Sequence, residues 1–323
     1  MAVATLALAG DTMLGRGVAQ RLATAPFRTV FAPALRELTA EADAFVLNLE
    51  CCVSDRGAPW AAPGKRFFFR APPRAADALA WLGVDCVTLA NNHALDYGPV
   101  ALQDTRRHLA NAGIDVVGAG AEVDQAREWR MLTVGDLRLG VLGVTDHPPD
   151  YAAGPARPGV AYADLASGVP GWLRQHITAM VQGTEVCLVT PHWGPNMAGR
   201  PVRHVRAAAA ALVDAGASLV AGHSAHICQG VAGRVLYDLG DFIDDYATHP
   251  GLRNDLGLLF LVTLDAQGPI KLEAVPLALD FCRTRLADTA ESAWLKDRFT
   301  AACAEWGTEV SAADDGRLVV RLR

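Results

Sequence analysis

The chain has 323 residues, 51% hydrophobic and 20% charged, which supplies a substantial core and argues against disorder. A net charge of −6 and a pI near 5.8 argue against wholesale binding to nucleic acid or to an anionic membrane. Seven cysteines without any CxxC spacing argue against a zinc ribbon or a disulfide framework, and fit buried thiols in a reducing cytoplasm.

Thr5 to Ala9 reads as a buried strand that runs out at Gly10-Asp11, with Gly15-Arg16-Gly17 as a turn beyond it. This start lacks the positive charge of a signal peptide. No apolar run approaches the ~18–20 residues that span a membrane, so the expected location is cytoplasmic. Pro33 to Ala42 has a helical pattern, and Ala44 to Leu49 is a strand ending in Asn48-Leu49-Glu50. Residues 53–73, rich in Gly, Pro and Arg, predict a long loop of the kind that usually carries function. Ala75 to Leu82 predicts a helix. Val84 to Ala90 predicts a buried strand that ends in Asn91-Asn92-His93, with Asp96 three residues on. Pro99 suits the first helical position of a helix that reaches Ala112 and stops at Gly113.

Ile114 to Val117 is a short strand, and Met131 to Val134 with Leu137 to Val144 flank a Gly135-Asp136 hairpin signal. Residues 147–171 are again Pro/Gly-rich. Trp172 to Val181 predicts a helix, Glu185 to Thr190 a strand leading to His192, and Val202 to Ala215 an Ala-rich helix stopped by Gly216. Ser218 to Ala221 is the strand that delivers Gly222-His223, and His226 follows. Val235 to Leu239, Leu258 to Leu264 and Ile270 to Val275 are strand-like, and Ala290 to Glu305 is a terminal helix. Alternating strands and helices followed by clustered strands predict one α/β or α+β domain over 1–323.

Polar groups thus collect where apolar strands end, which is where open α/β sheets place their sites. Asp11, Glu50, Asn92 with His93, His192, and His223 with His226 offer oxygen and imidazole donors from five segments. That donor set suits one or two divalent ions such as Mn²⁺, Zn²⁺ or Fe²⁺. A metal pair needs a bridging carboxylate, for which Asp11 and Glu50 are candidates, and it supplies activated water and a clamp for an oxyanion. The other five histidines (His108, His147, His176, His204 and His249) fall in helices or loops.

Gly10-Asp11-Thr12-Met13-Leu14-Gly15-Arg16, Asn48-Leu49-Glu50, Ala90-Asn91-Asn92-His93 with Asp96 and Gly98, His192-Trp193-Gly194, Gly222-His223-Ser224-Ala225-His226 and Leu239-Gly240-Asp241-Phe242 resemble, in order, the motifs of the CapA family of capsule and poly-γ-glutamate synthesis. That family is related to the calcineurin-like metallophosphoesterases. The resemblance covers roughly residues 3–245 and implies an α/β fold, a four-layer α/β/β/α sandwich of two mixed sheets. It implies that Asp11, Glu50 and His226 hold one metal and that Asn92, His192 and His223 hold the other, with Glu50 as the bridge. His93 matches the proton donor of the related phosphoesterases, and Asp96 orients it. The pattern departs at Met13, where those enzymes carry a histidine, and at Ser224-Ala225, where the family often has His-Pro.

Arg16 and Arg70 are candidates to pair a substrate carboxylate or phosphate, and Trp193 to line an aromatic pocket. Asp241 is a candidate to orient a histidine ligand, whereas Asp244 and Asp245 read as solvated acids. The leading function is hydrolysis of a phosphoester or amide in a peptide-like, polyglutamate-like or phosphorylated small substrate. The alternatives are a metal-dependent peptide epimerase, which exchanges a Cα proton between two bases, and a non-catalytic accessory of polymer synthesis.

Overall fold

A computed structural model describes residues 2–323 and shows a mixed α/β fold built on two main sheets. In the ten-stranded sheet, Ala4–Thr12 runs parallel to Ala44–Leu49, which in turn pairs with Cys86–Thr88 and then Asp115–Val117. On its other side Ala4–Thr12 pairs antiparallel with Leu256–Asp265, followed by Gly268–Asp280, Leu318–Arg321 and Ser311–Ala312. The six-stranded sheet has four parallel inner strands, Val235–Leu236, Leu219–Ala221, Val186–His192 and Leu137–Thr145. Antiparallel edge strands Val231–Ala232 and Arg130–Val134 close it.

Strand periodicity partitions the core. Side chains alternate between faces, so Ala7 and Ala9 join one apolar cluster while Leu6 and Leu8 join another. The first cluster includes Leu22, Leu79 and Leu102 from the helices Arg16–Thr24, Arg74–Leu82 and Gly98–Asn111. The second meets Leu139, Val141 and Leu188 of the six-stranded sheet. The opposite face of that sheet, through Leu142, Val144 and Val189, packs on Ile177 and Leu212 of the helices Gly171–Gly183 and Arg203–Asp214. Strands buried on both faces explain the near-continuous apolar runs. All seven cysteines are buried and free. Among the described residues, no helix is long and apolar enough to cross a membrane.

Several elements differ from the sequence expectation. The predicted strand Val84 to Ala90 keeps strand pairing only over Cys86–Thr88, since the chain leaves the sheet before Asn91. The turn expected at Gly15-Arg16-Gly17 is the entry to the helix Arg16–Thr24. The loop expected over 53–73 is clasped at its ends by the paired short strands Cys52–Val53 and Arg70–Ala71. Asp241–Ile243 becomes a strand by pairing with the end of Ala4–Thr12, where the register shifts between Asp11 and Thr12.

That pairing depends on Gly10. A Cβ there would lie 1.9 Å from the Gly240 carbonyl oxygen, which instead accepts the Asp11 N–H at 2.9 Å. Because the obstacle is backbone, Gly10→Ala is expected to destabilise the fold by about 3 kcal/mol or more, at the upper end of overpacking costs. Urea unfolding checks this; a midpoint equal to the wild type would show that the two segments separate freely.

Candidate functional site

The carboxyl ends of the parallel strands in both sheets meet at Asp11, which is fully buried. Its Oδ1 lies 3.8 Å from Nδ1 of His192 and 3.8 Å from Nδ1 of His223. Its Oδ2 lies 3.2 Å from Nδ1 of His226. His192 and His223 face one another at 2.8 Å between Nδ1 atoms, and Thr190 Oγ1 holds the far side of His223 at 2.9 Å. Glu50 Oε2 is 3.9 Å from His226. Two buried donor groups result, Asp11 with His192 and His223, and Asp11 with Glu50 and His226. The shared residue is Asp11, whereas the family resemblance places the bridge at Glu50.

The segment carrying the last two histidines is strained. Ser224 (φ 116°) and His226 (φ 59°) both occupy backbone regions that non-glycine residues avoid at about 1–3 kcal/mol each. Two buried carboxylates hold it in place. Ser224 N–H donates to Asp11 Oδ2 at 3.1 Å, and Ala225 N–H donates to Asp238 Oδ2 at 2.7 Å. A proline at 225 has no N–H to make the second bond, so the departure at Ser224-Ala225 has its own local support. The departure at Met13 has no donor role, since this buried thioether accepts the Gly15 N–H at 3.0 Å.

Burial and charge set the protonation states. His192 is held well below the usual histidine pKa by burial and then by His223. Burial likewise pushes His223 down to about 4, against the pull of Asp11. Both imidazoles are therefore neutral, the form that ligates a metal. Burial also depresses His226, but the carboxylates of Asp241, Glu50 and Asp11 outweigh it and raise the group well above the usual value. Burial pushes Asp11 up, yet the hydrogen bond and charge of His226, then His223 and Asn48, leave it below the usual range. Glu50 is raised well above its usual range by burial and then by the charge of Asp11.

Several of these buried atoms have no partner: both oxygens of Glu50, Nε2 of His192, Oδ1 of Asn92 and Oδ2 of Asp241. An ionised carboxylate with both oxygens orphaned is costly to bury, by several kcal/mol, unless a cation meets it. The donor set fits divalent ions, with Asp11, Glu50 and His226 to hold one and Asp11, His192 and His223 to hold another. Asn92, expected in the second ligand set, has its Oδ1 buried without a partner. Asp241 Oδ1 lies 2.8 Å from Nδ1 of His226, the same nitrogen that faces Asp11 and Glu50. Cys51 and Cys52 stay protonated core thiols, the latter pushed up to about 12 by burial.

His93 stands beside this cluster and outside both donor groups. Asp96 Oδ2 accepts from its Nδ1 at 2.6 Å, and its Nε2 lies 3.9 Å from Glu50 Oε1. Burial lowers its pKa, against the raising effect of Asp96. The ring stacks on Phe69 with centroids 4.0 Å apart. Asp96 is itself fixed by Phe69 N–H at 2.6 Å, by the Tyr151 hydroxyl at 3.1 Å and by Lys65 Nζ at 2.8 Å. The 53–73 loop therefore helps to build the site. His93 and His226 open on a cleft of about 620 Å³.

The three expected substrate-binding residues are placed differently. Arg16 lines the cleft, but its guanidinium pairs with Asp245. Arg70 lies over the Tyr97 ring, 4.1 Å from its centroid, and donates to the Arg56 carbonyl instead of reaching the cluster. Trp193 is buried and its indole N–H donates to the Tyr237 carbonyl at 2.9 Å, which makes it a packing residue. Asp244 and Asp245 are not solvated: the first is buried and the second holds Arg16. Three further residues of the site were given no role from the sequence. Lys65 reaches Asp96, Tyr246 packs on the His226 ring, and His147, tied to Asp146, lies with its ring 5.1 Å from that of His192.

Comparison with known proteins finds relatives named for capsule and polyglutamine synthesis. A probable polyglutamine synthesis accessory protein of Mycobacterium tuberculosis H37Rv is 32% identical over 98% of this chain and 96% of its own length. The capsule biosynthesis protein CapA of Bacillus anthracis is 29% identical over 66% of this chain and 52% of its own length. A solved structure from Thermus thermophilus, TT1561, is similar with a TM-score of 0.41 at 14% identity, covering 82% of this chain and 100% of that one. Residues 5–246, which carry every donor named above, match the model of the bacterial capsule synthesis protein family PGA_cap, and the chain belongs to that family.

Proposed function

We propose that this protein is a metal-dependent enzyme that hydrolyses a phosphoester or amide bond in a peptide-like substrate. We further propose that its two sheets, with helices outside and a shared apolar core between, form a four-layer α/β/β/α sandwich of the metallophosphoesterase kind. The observation that carries the reading is the sharing of Asp11 by two buried donor groups in which both oxygens of Glu50 and Nε2 of His192 lack partners. Divalent ions bound there supply Lewis-acid polarisation and lower the pKa of water. The chain's own residues do the rest. His93, with Nδ1–H donated to Asp96, turns Nε2 toward the cluster, where that nitrogen takes up the proton released by the attacking water and passes it to the leaving group. Phe69 and the loop behind it keep that imidazole in plane. The names of the relatives, which refer to capsule and polyglutamine synthesis, support a substrate built from amino acids.

Metal analysis is the first test. His192→Ala is expected to lose at least one of the ions bound by the wild type, and full retention would remove His192 from the ligand set. The metal-loaded protein is then incubated with candidate peptides and phosphoesters in D₂O. Release of fragments or phosphate supports hydrolysis. Deuterium gain at Cα without cleavage would replace hydrolysis by epimerisation, and tight binding without either change would favour an accessory role.

A further inference from the structure

The cleft above the donor groups has an aromatic wall of which the hydrolytic reading uses only Phe69, through its stacking on His93. Phe67, Phe69 and Tyr246 form it, and Phe67 stands 58% exposed at the surface. Among the described residues lining this cleft, Arg16 is the one lysine or arginine, and its charge is already met. Arg16 Nε donates to Asp245 at 2.9 Å and 3.2 Å, its Nη2 donates to the same carboxylate, and Gly17 N–H adds a bond to Asp245 at 3.0 Å. The guanidinium carbon lies 5.0 Å, 5.4 Å and 5.9 Å from the ring centroids of Phe69, Tyr246 and Phe67. Arg16 also holds a left-handed backbone (φ 49°), a conformation that persists only where surroundings over-determine it.

A free guanidinium in a cleft selects carboxylate or phosphate through bidentate hydrogen bonds. One already paired carries no net charge, and an incoming anion meets Asp245 along with Arg16. What remains is apolar ring surface together with Arg16 Nη1, which makes no hydrogen bond among the described residues and can donate to a neutral carbonyl. We propose that this wall is a specificity subsite for an uncharged aromatic or large apolar side chain of a peptide-like substrate, with Asp245 as the residue that keeps carboxylate side chains out. The inference rests on the peptide-like substrate proposed above, but it concerns binding and not turnover.

The test titrates the metal-loaded full chain by calorimetry with two probes, acetyl-Ala-Phe-Ala-amide and acetyl-Ala-Glu-Ala-amide, while mass spectrometry follows turnover separately. The Phe peptide is expected to bind about tenfold more tightly. Phe67→Ala, at an exposed position, is expected to lose about fivefold in affinity for the Phe peptide with metal content and melting temperature unchanged. Asp245→Asn is expected to raise affinity for the Glu peptide by about fivefold, because Arg16 is then unmasked. Equal or tighter binding of the Glu peptide by the wild type, no binding of either peptide, or a Phe-to-Glu ratio unmoved by both substitutions would overturn the subsite. A side-chain preference without turnover would leave the subsite standing and count against the hydrolase; turnover without a preference would do the reverse.

Discussion

Asp11→Asn is expected to weaken both metal positions together and to lower the stability of the metal-free protein by about 1–3 kcal/mol. The first effect follows from the geometry, since Asp11 alone belongs to both donor groups. The second follows from its neighbours. Asp11 Oδ1 accepts from Asn48 Nδ2 at 2.6 Å and Oδ2 accepts from the Ser224 N–H at 3.1 Å. Asn48 cannot flip to help, because its Oδ1 already accepts from Asn91 at 2.9 Å. Whichever way an asparagine at 11 is turned, its NH₂ faces a buried donor. Elemental analysis and urea unfolding in chelator measure the two effects. Loss of a single ion with the other fully retained would show that the groups do not share Asp11.

His93→Asn is expected to behave in the opposite way, keeping metal and stability near the wild type while turnover falls by about 10²–10⁴-fold, the usual contribution of a general acid or base. The side chain belongs to neither donor group, and among the described residues its one hydrogen-bond partner is Asp96. An asparagine retains a donor for Asp96 but has no second nitrogen to carry a proton. Turnover at the wild-type rate would remove His93 from the mechanism. Metal loss on this substitution would make it a ligand instead.

Much of this arrangement was legible from the strand ends. A strand buried on both faces must be apolar, so a polar residue at its exit stands out, as Asp11, Glu50, His192 and His223 do. The sharing of Asp11 was not legible, because spacing along the chain carries no information on which of two carboxylates lies nearer the histidines. Nor was the neutralisation of Arg16, whose partner lies 229 residues away. Asp241–Ile243 is a strand only through its partner, since three residues have no periodicity of their own. The helix Arg16–Thr24 was hidden by flanking glycines, and its entry at Arg16 takes a backbone conformation that sequence does not advertise for arginine.

The side-chain amides of Asn48 and Asn91 lie in a row between Asp11 and the His93 backbone. Asn91 Oδ1 accepts the His93 N–H at 3.0 Å, its Nδ2 donates to Asn48 Oδ1, and Asn48 donates to Asp11. This row works as a gauge block. It sets the offset between donor cluster and proton carrier through short, stiff parts at the strand ends, with few links between the two. The wall around Arg16 hangs instead on the 53–73 loop and the segment after Ile243. Redesign of what the cleft admits can therefore proceed at Phe67, while Phe69 and Lys65, which hold His93 and Asp96, keep the calibration.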